Sequence, residues 1–212
     1  MKVPTNKVTT AGFIIALGII YGDIGTSPLY VFNSIIGGRT VTPDLILGTL
    51  SCIIWTLTFQ TTIKYVILVL KADNRGEGGT FALYALVRRR KKWLVLPAMI
   101  GGASLLADGI ITPPISITSA IEGLKELPAL GIEDGSNTVV IIVLSILTLF
   151  FFMQQFGTAS IGKMFGPLMS IWFTMLLVLG VVHVFDDLAI FKALNPYYAV
   201  QFLKNYEGGF WL

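Results

Sequence analysis

A chain of 212 residues that is 54% hydrophobic and 13% charged does not have the composition of a soluble domain, where charged residues make up about a quarter. Its mean hydropathy of +0.78 points to the membrane instead. The formal charge of +3 sits between apolar stretches and requires no nucleic-acid partner. The lone Cys52 excludes an internal disulfide, and one histidine leaves no zinc or iron cluster and no cofactor to expect.

Apolar stretches lie at about 11–36, 45–70, 93–121, 137–156 and 161–185. Each is long enough to cross about 30 Å of hydrocarbon as a helix, so the chain is expected to be an all-α polytopic membrane protein. The first stretch holds Asp23, in Tyr21-Gly22-Asp23-Ile24-Gly25-Thr26-Ser27-Pro28-Leu29-Tyr30. A helix entering near Ala11 reaches Asp23 after about 18 Å, close to mid-membrane. Inserting a carboxylate there costs roughly 2.5–3.5 kcal/mol, which argues against a lipid-facing position. The surrounding Gly22, Gly25 and Pro28 predict a first helix interrupted between Gly22 and Pro28, with carbonyl oxygens exposed beside a cavity. Tyr30 follows Asp23 by two turns and shares its face.

In the second stretch Lys64 reads as a snorkelling cation near the cytoplasmic end. The segment after it, Asp73-Asn74-Arg75-Gly76-Glu77-Gly78-Gly79, is turn-prone, but lacks the GxxxxGK[ST] spacing of a nucleotide loop. Thr80 is a candidate cap for an amphipathic surface helix near residues 80–91. The run Arg88–Lys92 reads as a topology anchor, with anionic lipid heads as its other candidate partner. Lys2, Lys7, Lys71, Arg75, Arg88, Arg89, Arg90, Lys91, Lys92 and Lys163 fall on one side of the alternating spans. That basic bias makes this side, and the N-terminus, cytoplasmic.

The third stretch repeats the logic of the first. Asp108 lies in Leu105-Leu106-Ala107-Asp108-Gly109-Ile110-Ile111-Thr112-Pro113-Pro114, and Thr112 follows four residues later on the same face. Pro113 and Pro114 lack donors and free carbonyls near Gly109 and Ile110. Glu122, about 21 Å farther along, is either a vestibule residue or an exposed helix-end charge. In the fifth stretch Gly162 and Gly166 form a small-xxx-small pair suited to close helix packing. His183 stands beside Asp186 and Asp187 as an interfacial polar residue. Trp55, Trp93 and Trp172 need no cofactor to explain them.

Carbonyls, Thr and Tyr hydroxyls and a carboxylate together suit a dehydrated monovalent cation. A buried carboxylate also exchanges a proton, because burial and a nearby cation move its pKa in opposite directions. The plainer alternative is that Asp23 and Asp108 belong to polar networks that only specify packing.

These motifs resemble the KUP/HAK/KT potassium uptake permeases. The strings are Gly22-Asp23-Ile24-Gly25-Thr26-Ser27-Pro28-Leu29-Tyr30, Asn74-Arg75-Gly76-Glu77-Gly78-Gly79, Ala107-Asp108-Gly109-Ile110-Ile111-Thr112-Pro113 and Ser119-Ala120-Ile121-Glu122-Gly123-Leu124. Gln155-Phe156-Gly157-Thr158, Phe165-Gly166-Pro167 and Leu194-Asn195-Pro196-Tyr197-Tyr198-Ala199 complete the set in family order. The resemblance implies a LeuT-like core of two inverted five-helix repeats, with a discontinuous first helix. It implies potassium import by proton symport, with K+ and H+ as the transported partners. The potassium ligands it suggests are Asp23, Tyr30, Asp108 and Thr112, and proton coupling falls on Asp23 or Asp108. The lipid bilayer is the surrounding partner, and a homodimer is left open. Short inserts favour a prokaryotic plasma membrane.

Residues 1–212 correspond to the first repeat and an external linker at 186–212, with Phe210-Trp211-Leu212 leading towards a sixth span and the second half expected elsewhere. Competing classes are a passive cation channel, an intramembrane aspartyl protease and a non-transporting scaffold. No TVGYG-like carbonyl filter supports the channel. Ala-Asp-Gly around Asp108 does not match the Gly-x-Gly-Asp string of such proteases.

Overall fold

A computed structural model describes residues 9–71, 74, 78–124, 137–154 and 158–205. Within them the protein is helical. The elements are α1 (Thr10–Ile36), α2 (Pro43–Leu57), α3 (Gly79–Arg88), α4 (Val95–Leu124), α5 (Asn137–Gln154), α6 (Thr158–Val184) and α7 (Pro196–Asn205). α2 continues as π-helical turns over Thr58–Leu68 and a short 3-10 turn over Val69–Lys71. Among the described residues, Pro43–Lys71, Lys92–Leu124 and Phe165–Val184 are long and apolar enough to cross a membrane, and Asn137–Met153 is a shorter apolar helix.

The interruption expected between Gly22 and Pro28 is not there. α1 runs as one helix of 27 residues, about 40 Å long, with Pro28 inside it. Two side-chain donors bond carbonyls on either side of the rung that Pro28 removes. Thr26 Oγ1 donates to the Gly22 carbonyl at 3.2 Å, and Trp172 Nε1 of α6 donates to the Gly25 carbonyl at 3.1 Å. Proline removes one rung of the ladder, and hydroxyls and neighbouring helices supply donors around the gap. α4 likewise passes through Pro113 and Pro114 without ending.

The described residues form two compact units, one within Val31–Gly102 and Thr174–Leu212 and the other within Thr5–Tyr30 and Ala103–Phe173. In the first, α7 lies antiparallel along α2. Phe202 packs where a Cβ on Gly48 would stand, and Leu45, Ile35 and Phe202 form a buried cluster. Ser51 is fully buried and donates to the Asn195 carbonyl at 3.0 Å, and Trp55 Nε1 donates to the Leu194 carbonyl at 3.1 Å. The described part of the segment expected to be an external linker is therefore ordered as a 3-10 helix (Leu188–Leu194) followed by α7, and both are held on α2.

In the second unit α4 and α5 pack antiparallel through Ile121, Val139 and Val143. α1 and α6 approach more closely. A Cβ on Gly18 would lie 2.7 Å from the Cα of Gly166, and one on Gly166 would lie 2.6 Å from the Ile14 carbonyl oxygen. Seven residues on, a Cβ on Gly25 would strike the Phe173 ring at 2.6 Å. Contacts advance together along both chains, so the two helices run parallel.

The close helix approach expected at Gly162 and Gly166 is seen at Gly166, which meets Gly18 of α1. The surroundings of Gly162 lie outside the described residues. The cap expected at Thr80 also moves, because α3 begins at Gly79, where φ is +85°, and Gly78 is its N-cap. Lys64 is exposed, and its Nζ donates to Gln60 Oε1 one turn back at 3.0 Å.

Gly18→Ala would drive a methyl into backbone that no rotamer can move, costing about 1–3 kcal/mol. Gly180→Ala meets open space. The thermal midpoint of the purified protein should fall for the first and stay near wild type for the second; equal midpoints would refute the contact.

Candidate cation site

Asp108 occupies the middle of α4, about 20 Å from Val95 and about 24 Å from Leu124 along the axis. Its neighbours Leu106 and Ile110 are 67% and 70% exposed, and Asp108 is exposed with them. The carboxylate is paired one turn on: Thr112 Oγ1 donates to Asp108 Oδ1 at 2.8 Å. Helical spacing of four residues sets this bond, as expected from the sequence. Among the described residues the second carboxylate oxygen has no hydrogen-bond partner. A hydroxyl oxygen with a spare lone pair and a free carboxylate oxygen thus lie side by side on an apolar surface, a pair of hard donors suited to a cation.

On α1, Tyr30 is half-buried, and its hydroxyl donates to Ser27 Oγ at 3.0 Å. Ser27 was not among the expected ligands, although its place three residues before Tyr30 puts it on the same face. Asp23 lies in the backbone of α1, but its side chain is outside the described residues. The structure therefore shows two local pairs, Thr112 with Asp108 and Tyr30 with Ser27, each within one helix. Both pairs belong to the same compact unit.

Other hydroxyls behave differently. Thr58, Ser145, Thr148 and Ser170 each donate to the carbonyl four residues back, at 2.7–2.9 Å, and so serve their own helices. Thr112 departs from this habit by turning to a carboxylate. Glu122 is exposed in the last turn of α4, far along the axis from Asp108. His183 Nδ1 lies 3.1 Å from Asp186 Oδ2, with both side chains about three-quarters exposed, in keeping with an interfacial pair.

Trp172 is the residue the sequence reading undervalued. It was set aside as an aromatic needing no cofactor, yet it binds the Gly25 carbonyl inside the Asp23 motif. A signal was available: Gly18 and Gly25 are seven apart on α1, matching Gly166 and Phe173 on α6. The strings Arg75-Gly76-Glu77 and Gln155-Phe156-Gly157, the acidic loop residues Glu126, Glu133 and Asp134, and Lys2, Lys7, Lys125 and Phe210-Trp211-Leu212 lie outside the described residues, as does the side chain of Lys163.

Comparison with known proteins bears on the whole chain. Residues 10–212 match the family model described as the K+ potassium transporter integral membrane domain. A probable potassium transport system protein Kup of Clostridium perfringens is 56% identical over 218 residues, covering 99% of this chain and 33% of that protein. Proteins of the same description from Latilactobacillus sakei and Cytophaga hutchinsonii are 52% and 54% identical, each over 98% of this chain and 32% of its own length. The chain thus spans about a third of the length of these relatives. No solved structure matches it. The chain belongs to the K+ potassium transporter (KUP/HAK/KT) family, as a multi-pass protein of the prokaryotic plasma membrane and a member of a transporter family, not an enzyme family.

Proposed function

We propose that this chain supplies one half of the cation site of a potassium importer driven by co-transported protons. The observation that carries the reading is the Asp108–Thr112 pair at mid-helix, with a carboxylate oxygen left open on an apolar surface. A carboxylate facing hydrocarbon is costly by a few kcal/mol, whereas one facing a cation and further protein is compensated. The similarity to probable potassium transport system proteins supports potassium as the ion.

In this reading Asp23, Tyr30, Asp108 and Thr112 contribute oxygens to a dehydrated K+. Asp23 or Asp108 takes up a proton on the outer side and releases it on the inner side together with K+, with Glu122 in the outer vestibule. The spans form the first five-helix repeat of a LeuT-like core with the N-terminus cytoplasmic, and α1 stays continuous through the motif.

Potassium occupancy and proton movement are then linked in one cycle. Inward co-transport requires the proton and K+ to be loaded from the same side and released together, so one carboxylate holds the proton while the other faces the cation. Uptake should rise as external pH falls and should collapse when the proton gradient is dissipated.

Four replacements in the full-length protein, reconstituted in sealed vesicles, test the assignment. Asp23→Asn should abolish K+ accumulation. Thr112→Val should raise the half-saturating K+ concentration by about fivefold, the equivalent of about 1 kcal/mol, and Thr112→Ser should not. Asp108→Asn should either bind K+ poorly or move it without K+-dependent proton flux. Wild-type uptake kinetics in correctly inserted Asp23→Asn would reject the central role of that residue. Undiminished coupled proton flux in Asp108→Asn would remove Asp108 from the proton path.

A further inference from the structure

Trp172 and Phe173 of α6 meet α1 at one residue. Phe173 fills the space that a side chain on Gly25 would take, with its ring 2.6 Å from the ideal Cβ position, and the Met169 tip is 3.2 Å from that point. Trp172 Nε1 donates to the Gly25 carbonyl at 3.1 Å. Gly25 lies two residues after Asp23 and three before Pro28. The absence of a side chain at this position is what lets an indole and a phenyl ring share one turn of α1.

The position of the bond matters chemically. Pro28 has no N–H for the Ile24 carbonyl, so the helical ladder is one rung short here. The neighbouring Gly25 carbonyl has two lone pairs. One serves the helix, whose regular partner is the N–H of Leu29, four residues on. The other takes the indole N–H. With both engaged, the oxygen has nothing left for a cation; with the indole withdrawn, a strong dipolar ligand is free in the turn that follows Asp23.

We infer that Trp172 masks the Gly25 carbonyl, so that a dehydrated monovalent cation must compete with the indole N–H for that oxygen. Trp172 is thus a positioning residue: it touches no cation and acts through the carbonyl it holds. Its bond weakens K+ binding on purpose and speeds release, because the indole re-engages the oxygen as the ion departs. α1 need not break for this; a tilt of one carbonyl beside the proline gap suffices. The inference rests on the potassium-transport reading and deepens it by naming a residue outside the expected ligand set.

The test removes the N–H and keeps the shape. Full-length protein carrying β-(3-benzothienyl)alanine at position 172, where sulfur replaces N–H in an otherwise matching ring system, is compared with wild type. Trp172→Phe is the encoded second variant. Two readouts are taken: initial rates of K+ uptake in proteoliposomes, and the K+ concentration that half-maximally raises the thermal midpoint of the purified protein.

Release of one hydrogen bond should lower both the KM and the stabilisation midpoint by about two- to tenfold and lower the maximal rate, because release slows. A residue that only braced packing would lower the thermal midpoint without K+ and leave both K+ concentrations unchanged. An unchanged or raised KM with a normally responsive wild type overturns the masking role alone. A wild type that neither accumulates K+ nor is stabilised by it overturns the transport reading and this inference together.

Discussion

The close contact of α1 with α6 is the constraint on which the described membrane segment around the motif depends. Gly18 and Gly166 bring two backbones to their steric limit, which fixes the depth and rotation of α1. Seven residues on, the same interface places Trp172 and Phe173 on Gly25. A proline-bearing helix in an apolar phase must find donors for carbonyls that the ladder cannot serve. Here the unserved carbonyl is that of Ile24, and the indole of Trp172 on Gly25 and the hydroxyl of Thr26 on Gly22 stand on either side of it. Packing and backbone satisfaction are one arrangement, because the glycines that permit the approach also bring the indole within reach.

Asp108 shows the opposite economy of partners. Its pairing with Thr112 is intrahelical, so α4 carries its own polar couple wherever it packs. Such a couple stays apart from the aliphatic side chains around it, among them Leu106 and Ile110. A helix that presents one carboxylate–hydroxyl pair in an otherwise apolar face has a single rotational setting in which that pair avoids lipid. The pair therefore specifies how α4 must face, independently of any ion it holds.

Much of this was legible in the sequence, for identifiable reasons. Helix positions follow from apolar length, and the Asp108–Thr112 bond follows from a spacing of four on a regular helix. The continuity of α1 was not legible. Local residues such as Gly22, Gly25 and Pro28 favour interruption, and the packing that meets this turn comes from Trp172 and Phe173, with Trp172 147 positions away from Gly25. The antiparallel seat of α7 on α2 was hidden for the same reason. Ser51, Cys52 and Trp55 look like ordinary span residues until Leu194, Asn195 and Ala199 supply the carbonyls they bind. Periodicity reports which face is apolar, not which distant segment covers it. Ser27 is inconspicuous in the sequence because a serine within an apolar helix ordinarily bonds only its own backbone.

The parallel course of α1 and α6 imposes a counting rule on everything between them. Two spans that traverse a bilayer in the same direction must be separated by an odd number of crossings. The helix opened by α2 and α4 are long and apolar enough for two of them, and the shorter apolar helix α5 would be the third. A fourth crossing would reverse α6 and undo the register of Gly18 with Gly166. With α5 as the third, none is left for α3, whose 10 residues, about 15 Å, are in any case too short to cross about 30 Å of hydrocarbon. Its exposed Phe81 and the basic residues that follow it must stay on the side where α2's helix emerges and α4 begins.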